Sequence, residues 1–174
     1  MVSIPHLFTI SFSLICIVSL FFGIYTIYMN PKAVSNRIFF ALTMALVIWS
    51  FGFAMAISAP NLSVCLFWRR FAAIGWSLFF SILLHFMIYL SGRGAFLDKW
   101  WKYVLLYFPA AVCLSVFTYI PVLNPQQYKM IHTEMGWVNV SIKNFWDWFF
   151  ILYYASYSLI GMYLVWRWGK TAES

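Results

Sequence analysis

Carboxylates are almost missing from this chain. Asp98, Glu134, Asp147 and Glu173 are the only ones in 174 residues, and none lies within an apolar run. An ion-driven pump needs an acid inside the membrane, and hydrolysis by a carboxylate pair needs two acids in one site, so neither chemistry is provided for. Cysteine is also sparse. Cys16, Cys65 and Cys113 have neither zinc-ligand spacing nor an even count for a disulfide framework, and Cys16 and Cys113 read as small core residues. There is no Walker loop, dinucleotide fingerprint, zinc motif or nucleophile elbow, so the sequence predicts no enzymatic activity, no cofactor and no metal. The 11 Lys and Arg give a net charge of +7, but they are scattered between apolar runs. That distribution points away from nucleic acid and toward lipid headgroups and topology.

What is abundant is hydrophobicity: 64% of residues are apolar and 23% aromatic, with a mean hydropathy of +0.85. A soluble domain needs more polar surface. The fold class is therefore all-α, a polytopic transmembrane helix bundle forming one membrane-embedded unit over residues 1–174. Five spans are expected, at about 7–29, 38–58, 71–91, 103–119 and 148–166. Residues 1–31 are uncharged and lack the basic start and small-residue cleavage site of a secretory signal, so the first span is a retained helix. Asn30-Pro31 ends it, and Ala59-Pro60-Asn61 splits the long apolar run that follows. In the second span Ala41, Ala45, Gly52 and Ala54 allow close helix approach. Pro109 falls near the start of the fourth span and is expected to kink it. The connection 122–147 is the one stretch polar enough to fold outside the lipid. Within it, residues 128–132 and 137–141 flank Thr133-Glu134-Met135-Gly136, which predicts a small extracytoplasmic β-hairpin.

The third span carries the candidate site. Counting in fours from Ala73 gives Ser77, Ser81, His85 and Tyr89, a small and polar stripe on a helix of 3.6 residues per turn. In lipid such a stripe turns toward other helices, where hydroxyls and imidazole find partners. His85 is either a ligand contact or proton-sensitive switch, or else an interhelical hydrogen bond. Trp76, with Trp49, either lines an apolar ligand pocket or packs. Arg69 and Arg70, expected in the first turn of this span, either anchor to headgroups or bind an anionic signal.

Alternating the sides of the connections puts Lys32, Arg37, Arg93, Lys99, Lys102, Arg167 and Lys170 on one side, against Arg69, Arg70, Lys129 and Lys143 on the other. Seven against four predicts the N-terminus outside and the C-terminus in the cytoplasm. With these landmarks placed, the chain resembles the N-terminal seven-helix sensor region of bacterial sensor histidine kinases and diguanylate cyclases. The resemblance is carried by Asn36 with Phe40, by Trp49, by Phe67-Trp68-Arg69-Arg70-Phe71, by the run from His85 to Gly92, and by Pro109 and Gly136-Trp137. It implies a bacterial inner-membrane protein, able to form a homodimer, whose bundle detects a small-molecule or membrane signal and relays it to a cytoplasmic kinase or cyclase output domain. The chain departs from that pattern in having five spans and no output domain, as a truncated piece or as a short relative would. Two other readings stand beside this one. A small transporter, channel or accessory membrane subunit would line a water path with the same stripe. A lipid-directed enzyme would join His85 to the arginines, but 15 to 16 residues separate them, roughly 23 Å of helix.

Overall fold

The computed structural model describes residues 4–118 and 123–172. In chain order it contains α1 (Ile4–Met29), α2 (Val34–Ile57), α3 (Leu62–Leu90), a 3-10 turn (Gly94–Leu97), α4 (Trp100–Phe117), β1 (Lys129–Thr133), β2 (Gly136–Val140) and α5 (Phe145–Ala172). The five α-helices are long and apolar enough to cross a membrane. Tyr119 at the expected end of the fourth span, and Val122 at the start of the connection, lie outside the described residues.

Helix α3 is the hub. It packs against α2, α4 and α5, while α1 packs on α2, and α4 and α5 touch each other little. Small residues set the closest approach, as the second span's composition leads one to expect. A Cβ on Gly52 would stand 2.7 Å from that of Ala72, and a Cβ on Gly75 would run into the backbone of Ala45 and Trp49. Such close backbones gain dispersion contacts that lipid cannot supply. At the other extreme, α1 and α5 leave most of their apolar side chains exposed, Leu14, Phe21 and Leu152 among them. These faces meet acyl chains, where no hydrophobic penalty attaches to exposure.

The third helix starts earlier than the charge pattern predicts. The Asn61 side chain accepts a hydrogen bond from the Val64 N–H at 3.0 Å and caps the helix. Arg69 and Arg70 therefore lie two turns inside α3, and not in its first turn. Its far end closes in a Schellman motif. Gly92 takes φ +71°, the Gly92 N–H donates to Tyr89 O, and the Arg93 N–H donates to Ile88 O, each at 3.0 Å. Helix α4 likewise begins at Trp100, so Pro109 sits at its middle and not near its start. At the α1–α2 turn the Asn36 amide donates to Thr26 O and Asn30 O, at 2.9 and 3.2 Å.

The hairpin forms as its turn chemistry predicts. β1 and β2 are antiparallel, with Thr133 opposite Gly136 and Lys129 opposite Val140. Gly136 has φ +88°, and a Cβ there would meet Ile57 O at 2.6 Å. The hairpin thus lies directly on the α2–α3 turn, fixed by the Trp137 indole N–H donating to Ala59 O at 2.8 Å. Asp147 then organises the entry to α5. One carboxylate oxygen accepts from the N–H groups of Ile142 and Lys143 and from the Ser141 hydroxyl, while Asn144 caps the Asp147 N–H at 2.9 Å. A carboxylate in the first turn also complements the helix dipole.

Candidate functional site: a hydroxyl node between three helices

Ser77 and Ser81 are wholly enclosed, and what encloses them is Tyr153 from the middle of α5. The Tyr153 Oη lies 2.7 Å from Ser81 Oγ, 3.0 Å from Ser77 O, and accepts the Ser81 N–H at 2.9 Å. A tyrosine hydroxyl has thus entered the i to i−4 ladder of α3, where Ser81 N–H would ordinarily face Ser77 O alone. Ser81 Oγ in turn reaches α4, 2.8 Å from Leu106 O. The proton count is definite. Ser81 spends its hydroxyl hydrogen on Leu106 O, so the Tyr153 hydrogen has two acceptors to choose between, Ser81 Oγ and Ser77 O.

Pro109 explains why α4 has carbonyls to offer. Proline has no N–H, so the carbonyl four residues earlier, Leu105 O, has no partner in its own ladder. Tyr157 of α5 takes up that vacancy: its Oη lies 3.2 Å from Leu105 O and 3.1 Å from Leu106 O. Serine on α3, an opened turn on α4 and two tyrosines one turn apart on α5 form one connected node. Ser77 Oγ is the buried atom in it without a partner.

Trp76 adjoins this node from the same helix. Its ring meets Phe150 at 4.5 Å and Phe117 at 5.1 Å, both edge-on, in a cluster with Ala110, Cys113 and Tyr153. The indole is packed among these side chains. His85, one turn beyond Ser81, belongs to a second cluster. Its Nδ1 is 2.9 Å from Tyr107 Oη, its ring is edge-on to Tyr89, Tyr103 and Tyr107, and its Nε2 is buried without a partner. The bond to Tyr107 joins α3 to α4.

Arg69 and Arg70 stand apart, at the hairpin end. The Arg69 guanidinium lies 4.4 Å above the Phe53 ring, and its Nε is buried without a partner. Arg70 Nε donates to Gln127 Oε1 at 3.0 Å, and Gln127 Nε2 donates to Val116 O at 2.9 Å. Both side chains thus engage other residues of the chain. Beside them Tyr128 donates to Phe117 O at 2.8 Å. Burial pushes the Tyr128 hydroxyl well above the usual tyrosine range, and the charges of Arg69 and Arg70 pull the other way.

The predicted residues therefore fall in three places: Ser77, Ser81 and Trp76 together, His85 beyond them, and the arginines far off along an unbroken α3. Sequence reasoning missed Tyr153, Tyr157, Tyr107 and Gln127. Counting four back from Pro109 would have found Leu105 O, and the spacing of Tyr153 and Tyr157 marks one face of α5; nothing local says which helix that face meets. Among the described residues no three His, Cys, Asp or Glu side chains come together as a metal site.

An apolar multi-helix bundle whose polar groups point inward onto one another defines a polytopic helical membrane protein, with its chemistry between the helices. Residues 11–172 match the family described as the N-terminal 7TM region of histidine kinase, and the chain belongs to that family. No curated protein and no solved structure matches it.

Proposed function

We propose that this bundle is the sensory input region of a bacterial signal-transduction protein in the cell membrane. It is one unit with its N-terminus outside, and it relays ligand or membrane state to a cytoplasmic kinase or cyclase module. The catalysis belongs to that module. The observation that carries this reading is Tyr153, which ties α5 to α3 through atoms that offer it two acceptors. Helix α5 meets the bundle through α3 and barely touches α4, and apart from Tyr153 its contacts to α3 are apolar, such as the Phe150 ring on Trp76. A displacement of α5 along α3 breaks the Tyr153 contacts to Ser77 and Ser81 together, so the bundle has one arrangement with this node closed and another with it open. A signal that favours one of them moves the cytoplasmic end of α5. The complete burial of Ser77 and Ser81 supports this over a water-lined transport path.

The test uses the intact parent protein with its output domain, or the bundle in its full natural length fused to a kinase or cyclase reporter. Replacing Ser77, Ser81 and His85 singly by Ala is expected to change basal or stimulated output. Unchanged output in all three variants would remove the mechanism.

A further inference from the structure

Helices α2 and α4 both lie on α3, yet they make no extended contact with each other. Between them, at the end of the bundle that carries the α1–α2 and α3–α4 turns, is a cavity of about 440 Å³. Val34, Ile38, Ala41 and Ile82 supply an apolar wall, and Arg37, His85, Tyr89, Tyr103 and Tyr107 a polar one. No described carboxylate borders it. Asp98, the described acid of this end, is held by Lys102 at 2.6 Å, and Arg37 has no ion-pair partner among the described residues. The first turn of α2 opens toward the same space through Val34, and its N-cap residue Ala33 offers no side-chain acceptor. Arg37 and the first turn of α2 thus face one volume, and both favour negative charge; beside them Tyr107 Oη is 2.9 Å from His85 Nδ1 and Tyr103 is hydrogen-bonded to Tyr89, so each pair keeps one hydroxyl able to turn toward an anion.

We propose that this cavity binds a phosphate-bearing anion, with the phosphate on Arg37 and the tyrosine hydroxyls and any alkyl portion against Ile38, Ala41 and Ile82. The inference deepens the sensory reading, on which it rests for its biological meaning, by giving the input region a ligand class and a place. Occupancy would also wedge α2 from α4 beside His85, one turn from Ser81.

The phosphate could belong to a lipid headgroup or to a soluble anion, and the experiment separates the two. The chain, labelled with 3-fluorotyrosine and held in phosphatidylcholine nanodiscs, is titrated with dodecyl phosphate, with inorganic phosphate and with dodecyl maltoside. The fluorine resonances of Tyr89, Tyr103 and Tyr107 are assigned by single Tyr→Phe variants. A saturable shift with dodecyl phosphate alone supports a lipid phosphate; a saturable shift with inorganic phosphate as well supports a soluble one. In either case Arg37→Gln weakens binding about tenfold or more, the scale of a lost charge-assisted hydrogen bond. Lys32→Gln, at the same end but outside the cavity, changes it less than about twofold, as a screened surface charge does. The proposal is overturned by no saturable shift with either anion, by an equal response to dodecyl maltoside, or by equal losses in the Arg37 and Lys32 variants. The measurement involves no output domain, so its failure leaves the reporter test of the sensory reading intact.

Discussion

Removing the Tyr153 hydroxyl is the most informative single perturbation of the bundle. Tyr153→Phe keeps the ring, which is 3% exposed, and deletes one oxygen that contacts Ser81 N, Ser81 Oγ and Ser77 O at 2.9, 2.7 and 3.0 Å. The loss is smaller than three hydrogen bonds. Ser81 N–H falls back on Ser77 O within its own helix, and Ser81 Oγ keeps Leu106 O at 2.8 Å. One interhelical hydrogen bond net remains to be lost, worth about 0.6 to 1.7 kcal/mol inside a membrane protein. Ser81→Ala alone costs a similar amount, since Leu106 O retains Tyr157 at 3.1 Å and Tyr153 retains Ser77 O. The pair should be non-additive, with a coupling energy of about 0.5 to 1.5 kcal/mol in a double-mutant cycle. Reversible unfolding of the chain in bicelles measures it. A coupling energy near zero, with each single variant as stable as the parent, would mean that the hydroxyls do not hold α5 to α3, and the argument built on them would be refuted.

Other outcomes follow from the same geometry. Gly136→Ala combines φ +88° with a Cβ driven into Ile57 O, and should release the hairpin from the α2–α3 turn at a cost of about 1–2 kcal/mol; faster hydrogen exchange across residues 129–140 would report it. Gly52→Val places a branched side chain against the Ala72 backbone, and should force α2 from α3 and lower thermal stability by about 1–3 kcal/mol, whereas Gly169→Ala, with open space around it, should not. The Lys102 ammonium holds the Asp98 carboxyl below the usual carboxylate range. Because the folded-state value is depressed, any stability from this pair is present at neutral pH and disappears as pH falls through the lowered value; carboxyl carbon NMR should show Asp98 titrating at lower pH than a free aspartate, and Lys102→Gln should shrink the difference, the Asp98 and Lys99 N–H groups keeping part of it.

The parts of this molecule that could be read from sequence are those set by short-range chemistry. Hydropathy over about twenty residues gives the five spans, and Gly136 after two turn residues gives the hairpin. The start of α3 reads too late from the charge pattern because two arginines look like a membrane boundary, while Asn61, three residues ahead of Val64, caps the helix. Pro109 reads as near a helix start for a related reason: the apolar run begins at Tyr103, but the helix itself begins at Trp100. The inward aim of Ser77 and Ser81 was legible from their spacing and from the cost of placing a hydroxyl in lipid. Their partner was not. Which of five helices faces the stripe depends on packing among Gly52, Gly75, Ala72 and Ala73, and tyrosines fit equally well at a lipid interface. The arginines show the same limit, since Gln127, which receives Arg70, lies 57 residues further along the chain.

The most direct measurement is the basal output of a kinase or cyclase reporter fused to the bundle carrying Tyr153→Phe, beside Tyr154→Phe, whose ring packs on Phe80 and Phe150. Loss of about 1 kcal/mol from one of two bundle arrangements shifts their ratio roughly fivefold. Basal output changed several-fold by the Tyr153 variant and unchanged by the Tyr154 variant is the predicted result. Parental output from both would contradict the account.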